Sequence, residues 1–162
     1  MPNKKEKSFN KKGFTLIELL LVIGIIATLA VVTFVALDPI QRFKDARDAR
    51  RVSDVETILS AVHQYIIDNK GAFPTGLSAD TEQMLGTGSG CSINIGGCDS
   101  RVDACLNLLQ DTLMAKYLKA VPFDPQNGSA ANTYYTIFRN SNGIITVRAC
   151  NGEGATEISI SR

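Results

Sequence analysis

Side chains that commonly carry catalysis are scarce in this sequence. Its only histidine is His63, and a histidine between Val62 and Gln64 on a helical stretch is more often a surface or half-buried residue than a general base. No serine or cysteine stands in a nucleophile motif, and no close set of carboxylates is evident. No catalytic residue is expected. A surplus of charge is missing as well: 17 Lys+Arg against 16 Asp+Glu leave +1, which gives no general nucleic-acid-binding surface. The glycine-rich GTGSG at 86–90 lacks the Lys-Ser/Thr that would reach phosphate and magnesium. The four cysteines, Cys91, Cys98, Cys105 and Cys150, lack the close paired spacing of a zinc site. Asp124, in PFDPQNG, has no EF-hand-type spacing around it and reads as an ordinary Pro/Asn/Gly turn. No cofactor and no metal is expected.

What is present is a long apolar run. From Phe14 to Leu37 the only polar residues are Thr15, Glu18, Thr28 and Thr33. As a helix these residues extend roughly 36 Å, more than the roughly 30 Å hydrocarbon core of a bilayer. A secretory signal peptide also combines a basic start with an apolar run. Its apolar part is shorter, however, and ends at a small-residue cleavage site, whereas this run carries a carboxylate near its start and meets Asp38-Pro39. Basic residues do not orient the span, since Lys4, Lys5, Lys7, Lys11 and Lys12 precede it and Arg42, Lys44, Arg47, Arg50 and Arg51 follow it. The cysteines do: paired as disulfides they need an oxidising compartment, which puts the C-terminal part outside and the lysines in the cytoplasm.

Four segments are expected: 1–13 as a cytoplasmic leader, 14–38 as a transmembrane helix, 39–71 as an amphipathic helix and 72–162 as a globular head. Pro39 should kink or end the first helix. Beyond it Val52, Val55, Leu59, Val62 and Ile66 recur at steps of three or four, one stripe available to bury. Lys44 with Asp48 and Arg50 with Asp54, at i,i+4, suggest a solvated or inter-subunit face. Lys70-Gly71 should end the helix. Glycines and small polar residues make 72–102 a surface loop. The spacing predicts a further helix over 103–119, with Leu106, Leu109, Leu113 and Leu118 facing a core and Pro122 and Pro125 closing it off. Strands are expected at 133–139, 144–150 and 156–161, the first two joined through Asn140-Ser141-Asn142-Gly143. The fold class is α+β: a long N-terminal helix on a three-stranded antiparallel meander.

KKGFTLIELLLVIGIIATLAVV, residues 11–32, resembles the N-terminal signature of type IV pilins and of the pseudopilins of type II secretion and DNA-uptake machines. GAFP at 71–74 and VPFDP at 121–125 support the likeness loosely. The resemblance implies a prepilin peptidase cutting between Gly13 and Phe14, N-methylation of Phe14, and an assembly role for Glu18, fifth residue of the mature chain. The implied partners are that peptidase, identical or homologous pilin subunits, inner-membrane assembly machinery and the lipid bilayer. The implied location is a single pass of the cytoplasmic membrane, followed by an extracellular or periplasmic filament. Asp124 falls where some major pseudopilins bind calcium, the alternative to an ordinary turn.

Removing the first thirteen residues takes Lys+Arg from 17 to 12 and Asp+Glu from 16 to 15, leaving −3. It also removes five lysines that would otherwise be drawn into an apolar helix bundle at several kcal/mol each, order of magnitude. The function expected is a structural subunit polymerising through its N-terminal helix; the other class in play is a membrane-tethered binding protein that does not polymerise. A simple tether needs neither Gly13 nor Glu18. Two disulfides are expected in the head, with Cys105–Cys150 and Cys91–Cys98 preferred among three connectivities.

Overall fold

The computed structural model describes residues 13–154 and 157–162. The expected leader up to Lys12, and Thr156 of the last expected strand, lie outside the described residues. The chain divides between Ile40 and Gln41 into two compact units.

The first unit contains helix α1, Leu16–Leu37. Its start is fixed by Thr15, whose side-chain oxygen accepts the Glu18 amide while the Glu18 carboxylate accepts the Thr15 amide. This reciprocal cap satisfies two amides that have no partner inside the helix. At its other end Asp38 leaves helical geometry for a left-handed conformation, φ 35°. Pro39 then opens helix α2, Pro39–Asp68, at the position where a missing N–H costs nothing and where the proline disfavours helical geometry at the residue before it. After Asp68 the amide of Gly71 closes on the Ile66 carbonyl at 2.8 Å, and Lys70 and Gly71 both take positive φ.

The second unit is the head, which includes α2 from Gln41 onward. Strands β1 (Gln83–Met84), β4 (Tyr135–Arg139), β5 (Ile145–Ala149) and β6 (Ile158–Ser161) form one antiparallel sheet in the order β1-β4-β5-β6. Tyr135 and Ile137 of β4 and Ile145, Val147 and Ala149 of β5 alternate onto one face. That face meets Val55, Ile58, Leu59, Ala61, Val62 and Tyr65 of α2 in a single core. Val55, Leu59 and Val62 are buried as the periodicity predicts, but the stripe is rotated: Val52 is exposed, Ile66 is half-buried, and Arg51, Ile58 and Tyr65 take the inner positions.

Two expectations are corrected here. The sheet has four strands, because the glycine-rich region supplies β1, and the same region forms a separate ribbon of β2 (Ile93–Ile95) and β3 (Cys98–Ser100). The ribbon turns through Gly96-Gly97, both at positive φ, the requirement of a two-residue turn matched to strand twist. The helix expected over 103–119 is absent; two 3-10 turns, Leu108–Gln110 and Met114–Lys116, stand in its place. Asn107 and Asp111 are the physical reason, since their side chains accept the amides of Leu109 and Leu113 at 3.1 and 3.0 Å and offer the backbone an alternative to helical bonding. Leu106 is also committed elsewhere, exchanging backbone bonds with Met84 and Gly86. Leu106 and Leu118 are buried nonetheless, Leu109 is half-buried, and Leu113 is exposed.

Candidate functional site

The features that bear on function are the N-terminal end and outer surface of α1, and the charged and covalent ties of the head. At 22 residues α1 is about 33 Å long, sufficient to cross a bilayer core. None of its residues is buried among the described residues: Phe14, just before it, is 81 % exposed, and Leu16, Leu20, Ile26, Leu29, Phe34 and Leu37 are all exposed. Its hydroxyls are used up internally, Thr28 and Thr33 donating to the carbonyls of Ile25 and Ala30 at 2.8 Å each. The backbone is satisfied by the helix itself, so the outward surface offers almost nothing but apolar contact, which suits lipid or other apolar helices and not water. The one exception is Glu18. Its carboxylate turns back over the first turn, accepting from the Thr15 amide at 2.8 Å and the Thr15 hydroxyl at 2.7 Å. Gly13, the residue before Phe14, is exposed, with open space around its Cα.

Residues 8–34, which span this cap and most of α1, match the profile described as the prokaryotic N-terminal methylation motif. The chain carries a prokaryotic N-terminal methylation motif. That motif is the hallmark of type IV pilin and pseudopilin precursors. No curated protein and no solved structure matches the chain significantly. The motif covers Gly13, Phe14 and Glu18, the three residues expected to act in processing and assembly, and the structure brings them together at one end of α1.

In the head beyond the methylation motif all four cysteines are paired, in neither of the preferred combinations. Cys91 bonds Cys105 with Cα atoms 5.3 Å apart, closing the loop that contains the ribbon. Cys98 bonds Cys150 with Cα atoms 5.5 Å apart. The reason lies in Gly96, which packs so closely on the Cys150 carbonyl that a Cβ there would overlap it; the ribbon turn is thereby seated on the end of β5, and Cys98 follows. Thr136, on the sheet face away from α2, is buried beneath it and donates to Glu82 and Cys98.

A buried ionic cluster was not anticipated from the sequence. Arg51 has no exposed surface and donates from Nε to Asp124 at 2.6 Å and from one terminal nitrogen to Asp48 at 2.7 Å and Glu153 at 3.0 Å. Arg47 adds a bidentate pair to Glu153, and Asp48 accepts the amides of Glu153 and Gly154. The expected pairing of Lys44 with Asp48 is thus displaced, because Asp48 is engaged by Arg51 and by the 153–154 backbone. Arg50 and Asp54 do approach, at 3.7 Å, although Asp54 also accepts the Tyr135 hydroxyl. Both Asp124 oxygens are occupied, one by Arg51 and the other by the amides of Gln126 and Asn127 at 2.9 Å. This is the geometry of a turn bridged to a guanidinium. Burial opposes the charge on Asp124, but Arg51 and the turn amides outweigh it and hold the carboxyl below its usual range. Glu153 is held at about 2, first by the Arg47 hydrogen bond. The available signal was phase: Arg51 lies four residues before Val55, in step with the buried stripe.

Proposed function

We propose that the chain is a prepilin-like precursor, cut between Gly13 and Phe14, N-methylated on Phe14, and polymerised through α1 into a pilus or pseudopilus. The observation that carries this reading is the pairing of the methylation motif with a helix whose large apolar side chains are all exposed among the described residues. Such a surface must be covered by lipid before assembly and by neighbouring helices after it. The protein's role is structural, with the head, held outside the membrane, presented along the filament.

Cleavage creates a cationic α-amine one residue before the Thr15–Glu18 cap. Glu18 then pairs with the Phe14 amine of a neighbouring subunit and sets the axial register of packed helices. A carboxylate in a membrane helix costs roughly 2.5–3.5 kcal/mol at the bilayer centre, so a charged partner offsets a real penalty. The cap allows two roles of Glu18 to be separated. Glutamine can close a capping box as glutamate does, but it carries no charge. Glu18→Ala removes cap and charge together, while Glu18→Gln removes only charge. Both variants should insert and be cleaved, since the run becomes no more polar and Gly13 is unchanged, and both should lose filaments. Filaments restored to normal amount by Glu18→Gln would reduce Glu18 to a helix cap and refute the inter-subunit pair.

A further inference from the structure

Five basic residues follow α1 within fourteen positions, Arg42, Lys44, Arg47, Arg50 and Arg51, and they divide into two groups. The three nearer the head core each have a carboxylate of this chain: Arg47 has Glu153, Arg50 has Asp54, and Arg51 has Asp48, Asp124 and Glu153. The two nearer α1 have none among the described residues. Asp45, the acid beside them, instead accepts from Gln41 at 2.8 Å. Between these two cations stands Phe43, 65 % exposed, and Ile40 before them is 69 % exposed. An unpaired Arg and Lys around an exposed phenyl ring stand out beside three arginines of the same helix that are all matched.

Position along the chain supplies the rest. Arg42 and Lys44 follow Leu37 by five and seven residues, so at about 1.5 Å per helical residue they lie within roughly 10 Å of the end of α1 along the chain. The polar layer on each side of a bilayer core is roughly 5–8 Å deep. If α1 fills the hydrocarbon, residues 40–44 emerge at headgroup depth, where phosphates carry negative charge and where aromatic rings settle.

We propose that Gln41–Lys44 is a lipid-headgroup contact: Arg42 and Lys44 bind the phosphates of anionic phospholipid on the extracytoplasmic leaflet, and the Phe43 ring lies at the boundary of headgroups and acyl chains. This rests on the membrane-spanning reading of α1 above. It assigns a partner to these two cations, and it sets the depth at which the subunit waits in the membrane until it is extracted. Assembly then exchanges phosphate for whatever the filament offers these side chains.

The chain contains no tryptophan, so Phe43→Trp installs a single fluorescent reporter, and Leu29→Trp in α1 serves as a control for insertion. Each full-length variant is reconstituted into vesicles of phosphatidylcholine alone or with phosphatidylglycerol, with part of the lipid brominated on the upper acyl chain. The inference predicts that the Phe43→Trp reporter is quenched in phosphatidylglycerol vesicles at least two-fold more than in phosphatidylcholine alone. It also predicts that adding Arg42→Gln with Lys44→Gln, or high salt, abolishes the difference, while the Leu29→Trp control is quenched in every vesicle. A reporter at position 43 left unquenched while the control is quenched would overturn this inference and leave the spanning helix standing. An unquenched control would remove the spanning helix, and this inference with it. A reporter shielded only in assembled, lipid-free filaments would assign the patch to a second copy of the chain and overturn the lipid assignment.

Discussion

Helix α1 and the head solve the burial of side chains in opposite ways. The head encloses a core of α2 and sheet residues, buries an arginine among three carboxylates, and ties its irregular loops by two disulfides. Helix α1 buries nothing and spends its few polar groups on itself. The head can therefore be stable alone, whereas the apolar surface of α1 has no cover among the described residues and, on the function proposed above, takes it from lipid or from other subunits. Damage to one region should leave the other untouched, and that independence can be tested.

The largest effect expected in the head is from Arg51→Ala, which strands Asp124 in a buried site. Removing one partner of a buried pair costs about 3–5 kcal/mol, so thermal unfolding of the detergent-solubilised chain should shift down by many degrees, while membrane insertion of α1 should be unchanged. Insertion lost together with head stability would break the division between the two regions. Replacing Cys98 and Cys150 together by alanine, a closed loop with sequence separation 52, should cost about 4 kcal/mol on chain entropy. The Cys91–Cys105 pair, with separation 14, should cost about 3 kcal/mol. Denaturant titration of the two double variants tests that order, and peptide mapping without reductant tests the connectivity.

Acid should act on the head more gently. Glu153, held at about 2, and Asp124, held below its usual range, are both depressed. Their contribution is therefore fully present above the ordinary carboxylate range near pH 4 and is lost as pH falls through the native values. The melting temperature should be flat from pH 7 to about 5 and fall between about pH 4.5 and 2. Arg47→Ala should leave the start of that fall in place, since the unfolded carboxylate sets it, but make the fall smaller and end it at a higher pH, because the native value of Glu153 rises. An unchanged profile in Arg47→Ala would show that Arg47 does not hold Glu153.

The same contrast governs how much the sequence reveals. Helix α1 is legible because its run is long and nearly apolar, and the motif residues Gly13, Phe14 and Glu18 lie at its start. Strands β5 and β6 alternate cleanly, β4 is rich in β-branched and aromatic residues, and the expected limits of all three stand close to the observed ones. The head's remainder depends on contacts far apart in sequence. Gly96-Gly97 reads as loop composition, yet it is a tight ribbon turn, and only its contact with Cys150 decides which cysteines meet. Leucines at helical spacing over 103–119 suggest a helix, but Asn107 and Asp111 divert the backbone, the latter also accepting from Tyr65 and Thr75. Arg51 looks like one more solvated charge until Asp124 and Glu153, 73 and 102 residues away, close on it.

The account rests on processing before assembly through α1. Mass spectrometry of the N-terminal peptide of this chain, taken from filaments sheared off cells and seen by electron microscopy, tests it most directly. The prediction is a chain that begins at Phe14 and carries one N-methyl group. A filament chain that retains Met1, or begins near residue 38 with α1 missing, would contradict it.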